Sequence, residues 1–189
     1  MRQTRNDSTA SVERDERVRL FCALRLPDDV LDAVVAWQHR VLTDGRIVPR
    51  ENLHLTAAFL GHRPTGEIPA VVAALRDAAA STRPMLLAVE RYRETRSVGM
   101  LSFDDEGGHA MALAGDLQRR LEALGVYERE RRRWLPHVTV LRFRERPRLR
   151  PALPELEPFV PSDAAAFLSR LRPGGAHYEV LESVRVGGR

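Results

Sequence analysis

The sequence predicts an α+β protein built on largely antiparallel sheets. Segments with the two-residue alternation of strands are mixed along the chain with segments that have the spacing of amphipathic helices. Two strand-like segments, ENLHLTAAFLG and LPHVTVLRF, share a His-any-Thr pattern and occupy comparable places in two strand-helix halves. We therefore expect an internal repeat that is too weak to be visible elsewhere in the sequence. With 189 residues, of which 43% are hydrophobic, the chain can form one core or two small lobes that share an interface.

The first strand and helix follow a polar N-terminal segment. Residues 1–17 are charged and lack apolar periodicity, which predicts a disordered tail, so we expect a single domain over residues 18–189. The stretch VRLFCALRLP has the apolar character of a strand. A helix should follow Pro27, because Asp28 and Asp29 would complement the helix dipole in its first turn. Its apolar positions fall on one face, which should lie against a sheet: Val30, Leu31, Val34, Val35, Trp37, Val41 and Leu42.

The remaining elements are predicted from the same patterns. In chain order we expect an extended RIVPR, the strand ENLHLTAAFLG closed by turn residues in GHRPTGE, and a helix from about Ile68 to Ala80. Strands PMLLAVERY and SVGMLSF precede the helix GHAMALAGDLQRRLEALG, with Gly125 as its C-terminal cap. After the second His-Thr strand, the proline-broken RPRLRPALPELEP predicts a surface loop. The stretch AAAFLSRLRP, a GGAH turn and a final strand YEVLESVRV complete the chain.

Composition limits the classes of protein that the chain can represent. No apolar run approaches the length that crosses a bilayer, and the first residues lack the apolar stretch of a secretory signal. We therefore expect a soluble, cytoplasmic protein with no membrane partner, and we expect a monomer. The single cysteine, Cys22, excludes an internal disulfide.

All basic residues are arginines, and the formal net charge is +4. Arginine forks suit phosphate groups, so this bias is compatible with a nucleic-acid partner, but a biased genomic base composition would also produce it. The run RERRRWLP, just before the second His-Thr strand, has two readings of its own. It either guides a phosphodiester backbone or forms an ordinary solvated surface. Charge alone does not assign a function.

The two His-any-Thr strands point to a shared site. Side chains on a strand alternate between faces, so His54 and Thr56 point the same way, as do His137 and Thr139. A lone histidine of this kind is usually a core residue whose ring is hydrogen-bonded. Two such strands facing each other would flank a groove with two imidazoles and two hydroxyls. That set suits in-line displacement at phosphorus without a metal or cofactor, and neither motif has the acidic third ligand of a zinc hydrolase nearby.

Four stretches carry a resemblance to a known family. LFCALRLPDDV, VPRENLHLTAAFLG, PHVTVLRFR and LSRLRPGGAHYEVL resemble the 2H phosphoesterases, specifically the bacterial RNA 2',3'-cyclic phosphodiesterases once described as 2'-5' RNA ligases. The resemblance covers about Val18 to Val186. It implies a bilobed fold with a pseudo-twofold axis, in which two antiparallel sheets line a central groove and the helices lie outside. It also implies an enzyme that hydrolyses RNA or oligonucleotide 2',3'-cyclic phosphate ends to 2'-phosphomonoesters.

The resemblance implies roles for individual residues. It assigns the general acid to His54 and the general base to His137, although the near-symmetry of the motifs leaves the reverse assignment open. Thr56 and Thr139 would bind the phosphate. Arg142 matches a family arginine that helps to bind the substrate, yet strict alternation would place it on the face opposite His137, so it would have to bend round the end of the strand.

The chain departs from the family at one strand. Where the family often has a strand with a tryptophan, this chain has TRSVGMLSF, so a base-stacking aromatic is absent there. Phe21 and Phe103 are the candidate replacements. Two other activities remain open at this stage: a non-catalytic protein that binds RNA ends or nucleotides in the same groove, and a 2'-5' RNA ligase that runs the reaction in reverse.

Overall fold

The computed structural model describes residues 16–130, 132–173 and 175–187, without the side chain of Arg172. Residues 1–15 of the predicted tail lie outside these ranges, and the first strand begins at Arg17. The elements in chain order are β1 (Arg17–Arg25), α1 (Asp28–Val41), β2 (Arg46–Ile47), β3 (His54–Pro64), α2 (Ile68–Ala80), β4 (Leu86–Glu94), β5 (Val98–Glu106), α3 (His109–Ala123), β6 (His137–Arg142), β7 (Asp163–Arg172) and β8 (Gly175–Val184).

The strands form two antiparallel sheets of four strands each. One has the order β3-β1-β7-β8 and the other has the order β2-β6-β5-β4. The first and last strands of the chain therefore share a sheet, and the intervening strands β4 to β6 build the second one. Each sheet carries one His-Thr strand, β3 in the first and β6 in the second. The predicted α+β, bilobed architecture is confirmed.

The helices cover the sheet faces that carry the apolar residues. Gln38 on α1 donates from Nε2 to the carbonyl oxygens of Val48 (3.1 Å) and Val140 (2.8 Å), which attaches the helix to the second sheet. Trp37, on the same helix, is 1% exposed and donates its indole N–H to the Ala152 carbonyl. Helix α2 packs on β7 and β8, and α3 packs on α2, β3 and β5. None of the helices in the described ranges has both the length and the apolar composition that spanning a membrane would take.

Alternation along the two His-Thr strands separates core from groove. Leu55 on β3 and Val138 on β6 are fully buried in a hydrophobic cluster that extends through both sheets and all three helices. Their neighbours His54 and His137 are only partly buried and face away from that cluster. The apolar half of each strand therefore anchors it to the core, and the polar half is free to line a site.

Several strand boundaries differ from the prediction by about two or three residues. Strand β3 continues through Pro64, where the sequence predicts a turn after Gly61, because residues 17–20 of β1 pair with this extension. Gly61 adopts a φ of +70°, which glycine accommodates without strain. The last strand begins at Gly175, so part of the predicted GGAH turn belongs to β8.

Candidate active site

An open groove of about 640 Å³ lies between the two sheets. His54 and Thr56 line it from β3, and His137 and Thr139 line it from β6. The four side chains predicted to form one site therefore do meet, although they come from strands about eighty residues apart in the sequence. The arrangement follows from the fold, because β3 and β6 contact each other where the two sheets approach.

His54 lies against a wall of aromatic rings. Its imidazole is stacked at 4.9 Å from the ring of Phe21 and meets Tyr178 edge-on at 5.3 Å, with Phe167 at 6.0 Å. The pKa of His54 is lowered from its ordinary value of 6.5 to about 4, mainly by burial and to a smaller extent by the proximity of His137 and Arg142. A hydrogen bond to the backbone of Asn52 acts in the opposite direction. In the free protein the ring is therefore neutral at physiological pH.

Both imidazoles are oriented by the backbone two residues before them. Nδ1 of His137 is 2.8 Å from the Leu135 carbonyl oxygen, and because a carbonyl only accepts, this nitrogen carries the proton. Nε2 is then the nitrogen of His137 that remains for proton exchange. The ring of His54 is held in the same manner by the backbone of Asn52. The two halves of the site thus share the His-Thr motif and also a hydrogen bond from the histidine ring to the backbone two residues earlier.

A β-bulge turns Arg142 into the groove. In the pairing of β5 with β6, Gly99 lies opposite Leu141 and Met100 lies opposite Thr139, so Val140 is an extra residue on β6. The extra residue reverses the alternation beyond it and brings Arg142 to the face of Thr139, where it lines the groove. The expectation that strict alternation would point this arginine away from His137 is wrong for this reason.

The same device places Phe59 in the groove from the other sheet. Cys22 of β1 lies opposite Ala58 and Ala23 lies opposite Thr56, so Ala57 is the extra residue on β3. Phe59 lines the groove with 48% of its surface exposed, and the guanidinium carbon of Arg19 lies 4.8 Å from its ring centroid. The sequence contains a signal for this residue, because Phe59 and Arg142 each come five positions after a motif histidine.

The two phenylalanines predicted to stack on a base do not offer a free ring face. Phe21 is 2% exposed, and its ring is packed against His54 and Phe167, with centroids 4.9 Å and 4.8 Å away. Phe103 is also 2% exposed and packs edge-on against Phe159 at 5.5 Å inside the core. Phe21 therefore supports His54, and Phe103 lies outside the groove. The exposed aromatic ring of the groove is Phe59 instead.

The groove is electropositive. Arg19, Arg46 and Arg142 line it, and no Asp or Glu belongs to its lining among the residues that the structure describes. Arg46 comes from β2 of the second sheet, and its guanidinium group extends towards Gly175 on β8 of the first sheet. A β-carbon at the position of this glycine would lie only 3.3 Å from Nη1 of Arg46. Such a surface favours an anionic ligand. In the described part of the chain, no three His, Cys, Asp or Glu side chains are grouped as metal ligands would be.

Two side chains hydrogen-bond to the backbone of β3. As the outer strand of its sheet, β3 has one edge without a strand partner, and Trp134 and Gln118 bind carbonyl groups of this strand. The Trp134 indole donates to the Thr56 carbonyl and the Gln118 amide donates to the Ala57 carbonyl, both at 2.8 Å. The residue that supplies a hydroxyl to the groove is therefore held through its own backbone, by contacts that no local sequence pattern indicates.

Paired His-Thr strands presented by two antiparallel sheets to one groove define a 2H phosphoesterase fold. The chain belongs to the 2'-5' RNA ligase superfamily, and the model of that family matches residues 26–173.

Individual relatives are similar over nearly the whole chain. An RNA 2',3'-cyclic phosphodiesterase of Thermus thermophilus is 32% identical over 183 residues, covering 90% of this chain and 91% of the relative. A crystal structure of a Thermus thermophilus protein superimposes with a TM-score of 0.77 at 29% identity, covering 90% and 98% of the two chains. Escherichia coli LigT in its apo form has a TM-score of 0.78 at 23% identity, covering 91% and 99%, and is similar in fold.

Proposed function

We propose that this protein hydrolyses RNA or oligonucleotide 2',3'-cyclic phosphate ends to 2'-phosphomonoesters, using two histidines and neither a metal nor a cofactor. The observation that carries the proposal is the meeting of both His-Thr pairs in one electropositive groove. The name of the Thermus thermophilus relative, an RNA 2',3'-cyclic phosphodiesterase, supports the same reaction.

The proposed reaction is an in-line displacement at phosphorus. The hydroxyls of Thr56 and Thr139 and the guanidinium of Arg142 bind the non-bridging oxygens of the cyclic phosphate. A water oxygen attacks phosphorus while His137 accepts its proton as general base. The bond between phosphorus and O3' breaks, and His54 protonates O3' as general acid. The phosphate remains on O2', and the two histidines exchange their protonation states.

The environment of His54 couples its protonation to substrate binding. Because the free ring is neutral, it is not yet a proton donor. A phosphate anion close to the imidazole favours the charged form and raises its pKa. In this scheme His54 becomes protonated, and so able to act as general acid, when the substrate enters. In the free protein the aromatic wall keeps His54 neutral, so the site does not carry two adjacent imidazolium charges.

The assignment of acid and base can be tested with a substrate that needs no acid. The His54→Ala variant should lose much of its rate on a cyclic phosphate. On a phosphodiester with p-nitrophenolate as leaving group, its loss relative to wild type should be much smaller. His137→Ala should remain slow on both substrates, because attack by water still needs a base. Rescue of His137→Ala in place of His54→Ala would reverse the assignment.

Phe59 and Arg19 are the proposed binding site for the terminal base. The ring of Phe59 is already exposed in the groove, and Arg19 lies over it. Aromatic rings stack on every nucleobase, at about 1–3 kcal/mol per base, so this contact binds a nucleotide with little discrimination between sequences.

The decisive experiment is turnover of an oligonucleotide that ends in a 2',3'-cyclic phosphate, in excess chelator. The expected product is a 2'-phosphate with a free 3'-hydroxyl, formed at the same rate with and without chelator. Saturable binding without turnover would support a binding protein instead. Joining of the cyclic end to an RNA with a 5'-hydroxyl, without hydrolysis, would support a ligase. Loss of activity in chelator that zinc restores would contradict the metal-independent mechanism.

A further inference from the structure

A second groove lies outside the catalytic one, between α3 and the segment that leads into β6. Its volume, about 630 Å³, is close to that of the catalytic groove. We call it the arginine groove, and its lining comprises Gly108, Met111, Ala112, Gly115, Gln118 and Arg119 on the helix side with Arg129, Glu130, Arg132, Arg133 and Trp134 on the other. Four arginines thus face a single glutamate among the described residues, which makes this surface strongly cationic.

Three of these arginines lack a carboxylate partner within the part of the chain that the structure describes. No ion pair there involves Arg129, Arg132 or Arg133, whereas Arg119 pairs with Asp116 at 3.0 Å. Arg50 and Arg63, elsewhere on the surface, are engaged by Asp or Glu within 3 Å, whereas the exposed Arg40 and Arg93, like these three groove arginines, have no ion pair among the described residues. Like charges held close together repel one another, and the single glutamate of the lining does not balance them, so an anionic partner would relieve a cost that the free protein carries.

Contacts hold Tyr127 and Trp134, which lie on either side of the groove arginines in the sequence. The hydroxyl of Tyr127 is hydrogen-bonded to the backbone of Glu130, and the indole of Trp134 is tied to the Thr56 carbonyl at 2.8 Å. The ring of Trp134 nevertheless contributes to the lining of the groove. A cationic channel with an aromatic ring in its wall is the combination that proteins use to bind single-stranded nucleic acid.

The arginine groove lies next to the strand that carries His54 and Thr56. Trp134 and Gln118 line the groove and bind the carbonyls of Thr56 and Ala57 on the catalytic strand. Arg133 precedes His137 by only four residues, a path of at most about 14 Å in extended chain. A strand of RNA whose end lies between the histidines can therefore reach the arginines within a few nucleotides.

We propose that the arginine groove binds the phosphodiester backbone of the RNA strand whose cyclic phosphate end occupies the catalytic groove. This inference rests on the proposed function and makes it more specific: the preferred substrate is an RNA chain and not a mononucleotide. The guanidinium groups of Arg129, Arg132 and Arg133 contact phosphates upstream of the reacting end, and Trp134 offers a stacking surface. Binding through phosphates adds affinity without selecting a sequence.

The test compares two substrates with one variant and two controls. The triple variant Arg129→Gln, Arg132→Gln and Arg133→Gln removes the three groove charges and keeps side chains of similar length. The matched control removes three exposed arginines that line neither groove, by Arg40→Gln, Arg93→Gln and Arg150→Gln. A second control replaces the three groove arginines by lysine, which keeps the charge. The substrates are an RNA dodecamer with a 2',3'-cyclic phosphate end and a 2',3'-cyclic mononucleotide.

The expected result is a selective loss. The glutamine variant should lose about tenfold or more in kcat/KM on the dodecamer, mainly through KM, and nothing on the mononucleotide. The charge-matched control should behave as wild type, and the lysine variant should retain most of the dodecamer activity. Unchanged dodecamer kinetics in the glutamine variant would overturn the inference while leaving the proposed function intact. Equal losses on both substrates would also overturn it, because they indicate an effect on the catalytic site.

Direct binding makes the test independent of turnover. For single-stranded nucleic acid, each phosphate contact contributes about 0.7 to the slope of log K against log salt, so the glutamine variant should bind the dodecamer with a slope smaller by about two. If wild type hydrolyses neither substrate, the proposed function fails. The inference about the groove then stands or falls on this slope, and equal slopes for wild type and variant overturn it.

Discussion

Phe59 and Arg142 occupy equivalent places in the two halves of the site. Each follows its motif histidine by five positions, and each is turned into the groove by an extra residue, Ala57 on β3 and Val140 on β6. The scaffold is therefore repeated, but one half ends in an exposed aromatic ring and the other in a guanidinium group. We infer that this difference orients a nucleotide, with its base towards Phe59 and its phosphate towards Arg142.

Replacing Phe59 by alanine should weaken nucleotide recognition and leave the chemistry intact. Loss of one stacked base corresponds to about 1–3 kcal/mol, so kcat/KM for a cyclic mononucleotide should fall by roughly 5- to 150-fold. Because the side chain is 48% exposed, the stability of the protein should hardly change. The control substrate is an abasic ribose 2',3'-cyclic phosphate, which should be hydrolysed equally by wild type and variant. A similar loss on the abasic substrate would rule out base stacking as the role of this ring.

Replacing Arg142 by glutamine should affect every substrate that carries the phosphate. A hydrogen bond to a charged group contributes about 1.5–3 kcal/mol, which corresponds to a loss of roughly 10- to 150-fold in kcat/KM. For Arg142→Gln, kcat/KM should fall by the same factor on the abasic and the nucleoside substrates, whereas the Phe59 variant should lose activity only on the nucleoside substrate. Arg144, exposed two residues later, supplies the matched control, and Arg144→Gln should retain wild-type kinetics. An Arg142 variant with normal kinetics would remove this residue from the proposed site.

The low pKa of His54 makes stability depend on pH. As pH falls below 6.5, the histidine of the unfolded chain takes up a proton, whereas the folded protein does so only near a pKa of about 4. The unfolded state is therefore favoured progressively between these values. Relative to His54→Gln, wild type should lose roughly 2 kcal/mol of unfolding free energy between about pH 7.5 and about pH 5.

Urea unfolding of both proteins at the two pH values measures this difference. The control is His39→Gln, which removes an exposed histidine of α1 and should follow wild type at both pH values. If wild type and His54→Gln lost the same free energy on acidification, the pKa of His54 would not be lowered by its position against the aromatic wall.

Trp134→Phe should destabilise the protein and displace Thr56 on β3. The variant keeps an aromatic ring but leaves the Thr56 carbonyl without its indole donor, which costs about 1–3 kcal/mol of stability. Because Thr56 is displaced, kcat should fall more than KM rises. Trp37→Phe is the matched control, since its indole also binds a backbone carbonyl, that of Ala152, and neither residue lines the groove. It should be destabilised to a similar extent with kcat unchanged, and equal kinetic effects of both variants would contradict the positioning role of Trp134.

Local patterns in the sequence were sufficient for the elements and for the four central side chains. Apolar periodicity predicted the helix Ile68–Ala80 with its observed bounds, because its buried positions recur on one face. Alternation predicted that His54 and Thr56, like His137 and Thr139, would share a face, because both motifs lie in the regular part of a strand before the bulge.

Features that depend on a partner segment were not predictable in this way. The bulges arise from the register with β1 and β5, so alternation alone placed Arg142 on the wrong face and overlooked Phe59. The burial of Phe103 depends on Phe159, which comes from the irregular segment 143–162. Trp134 reaches the Thr56 carbonyl across 78 positions of sequence, a contact that only the tertiary structure creates.

The central claim is that two histidines perform the chemistry, and it is tested most directly by the hydrolysis rate of a 2',3'-cyclic mononucleotide in excess chelator. Wild type, His54→Ala and His137→Ala are compared at saturating substrate, with circular dichroism to establish that each variant is folded. A general acid or base contributes about 10²- to 10⁴-fold, so each variant should lose at least about a hundredfold in kcat. A folded variant at either position that hydrolyses the substrate at the wild-type rate would contradict the account.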